Sequence, residues 1–322
     1  MAEKFSYSRL STYESCPYKY NLKYNLKKFI SSDNVASEFG SLVHKAFEMQ
    51  TNMIISGQPI DYELIKKFFV ESDGARGSLL GTDVLSKKYK KEWNELDKTG
   101  KTYAQKTERF LESGIYRLEN YMKANPDLVL YAAELPFEYK FKGYTFHGFI
   151  DRVFYHKSDK SHIEIHDIKT SATEYDDKKC TTPLQMVIYV QALKNIMPKD
   201  EFGEDLTIDC FYEFPIAESI KAAGTKGFIN RGLKKIDALL EGIKANDYKC
   251  NPSPLCYWCE YCNNNPLITP DGKNMCPYYS LWTPDNRTFA TFLPWLGMEC
   301  DDLQRKKLIA LSSMEDEDDF EI

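Results

Sequence analysis

The sequence predicts an α/β fold in which a β-sheet core is flanked by helices and carries a helical insertion. Two segments, residues 146–155 and 163–168, are rich in aromatic and β-branched residues and are separated by a polar turn at 156–161. Amphipathic helical patterns precede and follow them, at 37–55 and 184–196. Helices and strands in this order are typical of a sheet covered by helices.

The remaining elements complete the same order of helices, antiparallel strands, helix, strand and helix. Residues 128–141 and 206–214 have strand character, and residues 228–245 have a helical pattern. Residues 57–125 contain few β-branched residues and many charges, which predicts a helical insertion over or around the core. We expect one domain over residues 1–280.

Composition limits the class of protein. Hydrophobic residues make up 43% of the 322-residue chain, which is enough for a sizeable core. No apolar run approaches the roughly 18 residues that a membrane span needs, and the first residues lack the apolar segment of a secretory signal. We expect a cytoplasmic protein, prokaryotic or in a phage-infected cell, whose nine cysteines are free thiols or metal ligands.

The net charge of −6 is concentrated at the end of the chain. Residues 315–322 hold six acidic groups, so residues 1–314 are neutral. We expect residues 281–312 to form a C-terminal extension and residues 313–322 to be a disordered tail. The tail is either a solubility element or a peptide that docks on a basic pocket of a replication or recombination partner, such as a single-strand-binding protein.

Two carboxylates and a lysine lie on the predicted strands in a pattern that suits phosphodiester cleavage. Side chains alternate along a strand, so one pairing register brings Asp151 close to Asp167 and Lys169. Nearby carboxylates repel each other, and a divalent cation relieves that repulsion while binding phosphate oxygen. The lysine can orient a water and stabilise charge on phosphorus. The alternative is that all three are solvated residues at strand ends.

Other polar residues have two interpretations each. His44 lies on or beside the apolar stripe of its helix, where it is either a structural residue or a metal ligand. Gln185 and Tyr189 lie four residues apart on one helix face. They are either an ordinary polar edge of the helix or residues that contact the substrate backbone. Either Glu134 or Glu138 supplies another carboxylate to the site, or both face solvent.

A cysteine group follows the last predicted helix. Cys256, Cys259 and Cys262 have C-x-x-C-x-x-C spacing, and Cys276 precedes a proline. Closely spaced cysteines in an intracellular protein are usually metal ligands. The spacing suits tetrahedral zinc or an iron–sulfur cluster.

Together these motifs resemble the RecB-like branch of the PD-(D/E)XK nuclease superfamily. The chain is most similar to members with an iron–sulfur cluster, such as CRISPR-associated RecB-like exonucleases and the AddB nuclease domain. Six motifs follow the family's order: S-x-x-S-x-Y-x-x-C-P at 8–17, G-x-x-x-H at 40–44, G-x-x-D-R at 148–152, D-x-K-T at 167–170, Q-x-x-x-Y at 185–189 and the late cysteines.

The resemblance implies a restriction-endonuclease-like mixed sheet and a role for each matching residue. It implies that Mg²⁺ or Mn²⁺ is held by His44, Asp151, Asp167 and the carbonyl of Ile168. Lys169 would orient the attacking water, and Gln185 and Tyr189 would position the substrate strand.

The resemblance also implies a structural 4Fe–4S cluster that joins one early cysteine to three late ones. Cys16, Cys256 and Cys259 match the family's ligands. The family's short gap before the last ligand is absent here, so we favour Cys276, with Cys262 as the alternative. A structural zinc ion is the alternative to the cluster.

The function expected from the resemblance is a metal-dependent deoxyribonuclease, an exonuclease acting on DNA ends in recombination, repair or replication. The alternatives are an endonuclease and a catalytically silent DNA-binding or accessory subunit with a structural metal–cysteine site. The sequence lacks G-x-x-x-x-G-K-[ST], so any helicase partner is a separate chain.

Overall fold

The structure is a computed structural model, and it describes residues 3–29, 34–97, 99–251, 259–261 and 276. In these residues one sheet contains the strands β1 (Lys4–Phe5), β2 (Leu128–Phe141), β3 (Tyr144–His156), β4 (His162–Ile168), β5 (Thr207–Phe214) and β6 (Ser219–Ala222). The α-helices are α1 (Tyr7–Ser15), α2 (Pro17–Tyr20), α3 (Val35–Ile55), α4 (Tyr62–Glu71), α5 (Thr82–Lys88), α6 (Lys90–Asn94), α7 (Tyr103–Glu112), α8 (Arg117–Ala124), α9 (Asp177–Thr181), α10 (Leu184–Ile196), α11 (Lys199–Phe202) and α12 (Phe228–Lys244).

The chain divides into two compact units. The sheet unit comprises Met1–Tyr7 and Asp33–Lys234, and the second unit comprises Ser8–Ser32 and Lys235–Ile322. All six strands belong to the sheet unit.

The sheet is mixed, and β3 has neighbours on both sides. β2 pairs with β3 in antiparallel register, from Leu128 opposite His156 to Phe141 opposite Tyr144. On its other side β3 pairs with β1 at residues 145–146 and with β4 at residues 152–155. β4 and β5 are parallel, as expected for strands joined by a crossover that contains α10, and β6 pairs antiparallel with β5.

A two-residue turn sets the register of the β2–β3 hairpin. Lys142 and Gly143 both have positive φ, at 50° and 84°. Two positive φ values match the right-handed twist of the flanking strands in a tight hairpin. The turn therefore determines which β2 side chain faces each β3 side chain.

Helix α3 provides much of the core beside the sheet. The Asn34 side chain accepts a 2.9 Å hydrogen bond from the Ser37 N–H and so caps the helix. One face is buried against the insertion helices and the sheet; its apolar residues include Phe39, Leu42, Val43, Ala46 and Phe47. On helix α10 most residues are buried, as expected for a crossover helix packed on a sheet.

Tyrosine rings pack against one another in the second unit. Tyr13 packs edge-on against Tyr20, and Tyr20 stacks on Tyr248 with ring centroids 6.2 Å apart. The Tyr13 hydroxyl donates a 2.8 Å hydrogen bond to the Asp247 carbonyl. These contacts join the segment after α12 to α1 and α2.

The predicted fold class is confirmed: the sheet is mixed and is flanked by helices. The predicted strand over 128–141 has those bounds, and helices α4–α8 occupy the segment predicted as a helical insertion. β1 and β6 were not predicted. Among the described residues, no helix has the length and apolar character that crossing a membrane requires. The predicted extension at 281–312 and tail at 313–322 lie outside the described residues.

Candidate active site

Asp151 and Asp167 lie at neighbouring positions on β3 and β4. Val153 is opposite Ile165 in the antiparallel pair, and continuing that register by two residues places Asp151 opposite Asp167. The chain is held there by a 2.7 Å hydrogen bond from the Ile168 N–H to Oδ2 of Asp151. Strand alternation and pairing thus bring the two carboxylates to one place.

His44 reaches the same place from α3. Its Nδ1 lies 3.6 Å from Oδ2 of Asp151 and 3.6 Å from Oε1 of Glu134. One potential ligand atom from each of these three residues lies within 4.8 Å of the other two. An imidazole and two carboxylates form a donor set that suits a divalent cation.

The sequence left open whether Glu134 or Glu138 supplies a further carboxylate, and in the structure Glu134 lies in this group. The hairpin register, in which Leu135 is opposite Ile150, places Glu134 beside Asp151. Its φ of 45° is a left-handed value that non-glycine residues adopt only when the surrounding structure enforces it, and such residues cluster at functional sites. Glu138, the other candidate, instead pairs with Lys4 at 2.8 Å.

The electrostatics of the group favour a bound cation. Burial, together with repulsion from Asp167, raises the pKa of Asp151 to about 7. Burial disfavours charge on His44, but Asp151 and Glu134 outweigh it and raise the pKa of His44 to about 9. The protein therefore partly neutralises its own carboxylates with protons, and a divalent cation can take over that role.

Lys169 and Asp167 form a buried pair next to this group. Lys169 Nζ lies 2.5 Å from Oδ2 of Asp167. Oδ1 of Asp167 is buried and accepts no hydrogen bond from any residue that the structure describes. An orphaned carboxylate oxygen is costly without a partner, so this atom also fits a cation ligand. Burial disfavours the charge on Lys169, but Asp167 more than compensates and raises the pKa of the lysine.

Gln185 and Tyr189 of α10 continue from Lys169 as a hydrogen-bonded chain. Lys169 Nζ donates to Oε1 of Gln185 at 3.1 Å, and Nε2 of Gln185 donates to the Tyr189 hydroxyl at 2.7 Å. Tyr189 is only 5% exposed, and burial raises its pKa, so it remains a neutral phenol. Gln185 is thus fixed by two partners, and Tyr189 lies behind it.

A buried ionic pair supports the site from the other face of the sheet. Arg152 donates to Oε2 of Glu213 at 2.6 Å, and both side chains are 1% exposed. The guanidinium lies over the Phe47 ring, 4.9 Å from its centroid. Glu213 also accepts, through its backbone carbonyl, a 2.8 Å hydrogen bond from the Lys169 N–H. The pair thus joins the residue after Asp151 to the backbone that carries Lys169.

A groove opens beside the candidate metal ligands. It has a volume of about 690 Å³, and its lining includes His44, Lys45 and Glu48 of α3, residues 77–79 and Glu134. The small residues Gly40 and Ser41 of α3 also line this groove. The groove gives a ligand access to His44 and Glu134 from solvent.

Three cysteine thiols lie close together in the second unit. The Cys250 thiol hydrogen-bonds to those of Cys16 and Cys276. The bond from Cys250 lowers the pKa of Cys16 to about 6, against the effect of burial. Cys250 lacks C-x-x-C spacing, so no sequence signal pointed to it. Of the predicted ligands, Cys16, Cys259 and Cys276 are described, and Cys256 and Cys262 lie outside the described residues.

Comparison with known proteins gives one family match. The model of the PD-(D/E)XK nuclease superfamily matches residues 4–264. Among solved structures, a protein of Eubacterium rectale that is described provisionally as an exonuclease matches with 14% identity and a TM-score of 0.44, covering 82% of this chain and 88% of that one. No curated protein matches the sequence significantly.

Proposed function

The chain belongs to the PD-(D/E)XK nuclease superfamily, and we propose that it is a metal-dependent deoxyribonuclease with His44, Glu134, Asp151, Asp167 and Lys169 as its active site. The observation that carries the proposal is that His44, Glu134 and Asp151 converge on one point, with Asp167 opposite Asp151 on the next strand.

The proposed metal is Mg²⁺ or Mn²⁺, held by His44, Glu134, Asp151 and Asp167. When bound, such an ion polarises a phosphoryl oxygen and lowers the pKa of a coordinated water. The carbonyl of Ile168 is a further proposed ligand, supported by the contact of its own N–H with Asp151.

Lys169 is the proposed water-orienting residue. Asp167 keeps the ammonium charged, and Asp167 and Gln185 together take two of its three N–H donors, so one remains to hold a water and to stabilise negative charge on phosphorus. Tyr189 holds Gln185 in place. We propose that Gln185 contacts the substrate strand and that Tyr189 acts through it.

We propose further that the enzyme is an exonuclease of the RecB-like branch, acting on DNA ends in recombination, repair or replication. The ordered motifs from Ser8 to Cys276 support this assignment. An endonuclease and a silent DNA-binding subunit are the alternatives. The presence of three carboxylates, those of Glu134, Asp151 and Asp167, together with Lys169 at one place favours an active enzyme.

Linear and covalently closed circular DNA, each with Mg²⁺ or Mn²⁺, separate these functions. An exonuclease degrades only the linear form, and labels at the 5′ or 3′ end give its polarity. Cutting of the circle shows an endonuclease. If metal-loaded protein binds DNA and cuts neither substrate, the silent subunit is the correct assignment.

For the second unit we propose a structural 4Fe–4S cluster, with zinc as the alternative. The cluster of the Cys16, Cys250 and Cys276 thiols supports a metal site. The lowered pKa of Cys16 supports it too, because the thiolate is the form of cysteine that binds metals. Iron content and the visible absorption of anaerobically purified protein distinguish the two metals. Cys16→Ala should lose the cluster, whereas a zinc site formed by the late cysteines alone would survive that change. Cys210→Ala, in β5 of the sheet unit, should retain the metal in both cases.

The acidic tail at 313–322 is proposed to dock on a basic pocket of a replication or recombination protein. Its six carboxylates and single phenylalanine support this interpretation. Deleting residues 313–322 should abolish such binding and leave cleavage of naked DNA unchanged.

A further inference from the structure

Phe149 is exposed on the strand that carries Asp151. Its exposed fraction is 58%. Among the described residues, the other large apolar side chains with comparable exposure are Leu26, Phe29, Ile55, Leu64 and Leu96, and none of them lies on a strand. An exposed aromatic ring on a sheet strand therefore needs a reason.

The residue across from Phe149 is also apolar and exposed. Pro136 of β2 is its direct partner in the hairpin register. Paired residues of an antiparallel ladder point to the same face of the sheet. The phenylalanine and the proline together form a small flat apolar surface, which we call the Phe149–Pro136 platform.

The platform lies next to the candidate metal ligands. On β3, Asp151 is two residues from Phe149 and lies on the same face by alternation. On β2, Glu134 is two residues from Pro136, and its carboxylate lies in the group with His44 and Asp151. Two residues in the other direction are His147 and Glu138, which are both exposed. On the side of β3 away from β2, β1 pairs only at residues 145–146 and β4 only at 152–155, so in the described chain no strand pairs with Phe149 on that side.

We propose that the Phe149–Pro136 platform stacks against an unpaired base of the DNA strand whose phosphate lies at the metal ligands. This inference rests on the proposed nuclease function and names its substrate as an unpaired strand end. Stacking on an aromatic ring tolerates any base, because every base has a π-face. A base inside a duplex already stacks on both neighbours and cannot present a face to Phe149.

The kinetic test compares Phe149→Ala and Phe149→Trp with Leu64→Ala, a matched change of an exposed apolar residue on α4. Substrates are one oligonucleotide as a single strand, as a blunt duplex and as a duplex with an unpaired tail. Phe149→Ala should lower kcat/KM on the single strand and the tailed duplex by about 5- to 150-fold, mainly through KM. Phe149→Trp should retain activity, and Leu64→Ala should match the wild type.

An abasic nucleotide gives a readout that general damage to the site would not reproduce. Scanning one abasic position inward from the end should find a position where wild-type kcat/KM drops and the Phe149→Ala value does not. Equal losses in both proteins at every position would overturn the proposal. So would Phe149→Ala activity equal to that of the wild type on unpaired ends.

A binding measurement keeps this inference separate from the proposed function. In a Lys169→Gln background, a strand with 2-aminopurine at the same position should lose fluorescence on binding, and Phe149→Ala should abolish that quenching. Quenching that is unchanged by Phe149→Ala contradicts the platform, even if cleavage is normal. A wild type that quenches but never cuts supports the platform and contradicts the nuclease assignment.

Discussion

The Ile168 N–H donates a 2.7 Å hydrogen bond to Oδ2 of Asp151, and this bond ties the end of β4 to the carboxylate of β3. The bond holds Oδ2 of Asp151, the oxygen that lies 3.6 Å from Nδ1 of His44, and does not involve Oδ1. The residues on either side of Ile168 are Asp167 and Lys169, so one backbone contact fixes three parts of the site relative to Asp151.

Glu134 should be a metal ligand, whereas Glu138 on the same strand should not. Glu134→Gln keeps the size and backbone of the residue but removes one anionic donor from the group with His44 and Asp151. We expect the Kd for Mn²⁺, measured by calorimetry, to rise on the order of 10-fold or more. Glu138→Gln is the matched control, because that carboxylate pairs with Lys4. Equal Mn²⁺ affinity in the two variants would show that Glu134 is not a ligand.

Asp151 should make the metal-free protein less stable as the pH rises. Its pKa in the folded protein is about 7 against an ordinary value of 3.8, so its favourable contribution is complete below about pH 4 and is lost as the pH rises through 7. The Tm of Asp151→Asn minus that of the wild type should therefore increase between pH 4 and 7, by about 2–4 °C or more.

Two controls complete this pH experiment. Asp200→Asn changes an exposed carboxylate of α11, and its Tm should follow the wild-type Tm at every pH. Mn²⁺ should raise the Tm of the wild type above pH 7 and raise that of Asp151→Asn far less. A Tm difference that does not depend on pH would mean that Asp151 ionises normally.

The buried Arg152–Glu213 pair should be important for stability. Burial alone would raise the pKa of Glu213, but Arg152 lowers it to about 2, so the carboxylate is charged in the core. Arg152→Met removes the guanidinium from that charge and leaves it His166, whose Nδ1 lies 3.5 Å from Oε2 of Glu213, so it should lower the free energy of unfolding by about 3–5 kcal/mol in urea denaturation. Arg152→Met combined with Glu213→Met should recover most of the loss. A double variant as unstable as the single one would argue that lost packing on Phe47 dominates.

The sequence predicted the parts of this fold that have a periodic signal. Residues 146–155 and 163–168 are rich in aromatic and β-branched residues, and because side chains alternate along a strand, one pairing register of these strands brings Asp151 close to Asp167. β1 and β6, with two and four residues, are too short to show a period. They form because longer strands offer them an edge.

The positions of Glu134 and Cys250 depend on contacts between distant parts of the chain that the sequence analysis did not predict. Glu134 comes beside Asp151 through the turn at Lys142 and Gly143, and a two-residue hairpin assigned there would have given that register. Cys250 meets Cys16 only because the segment after α12 packs on the helices α1 and α2 of the second unit. No local pattern encodes that contact.

The most direct test of the nuclease assignment is cleavage of linear DNA by the wild type and by Lys169→Gln. Lys178→Gln, an exposed neighbour, is the control. We predict that Lys169→Gln lowers the single-turnover rate on the order of 100-fold or more, with the Kd for Mn²⁺ changed less than about 10-fold. Wild-type cleavage should stop with EDTA and return with Mg²⁺ or Mn²⁺. Cleavage that persists in EDTA, or that is as fast in Lys169→Gln as in the wild type, would contradict the proposed active site.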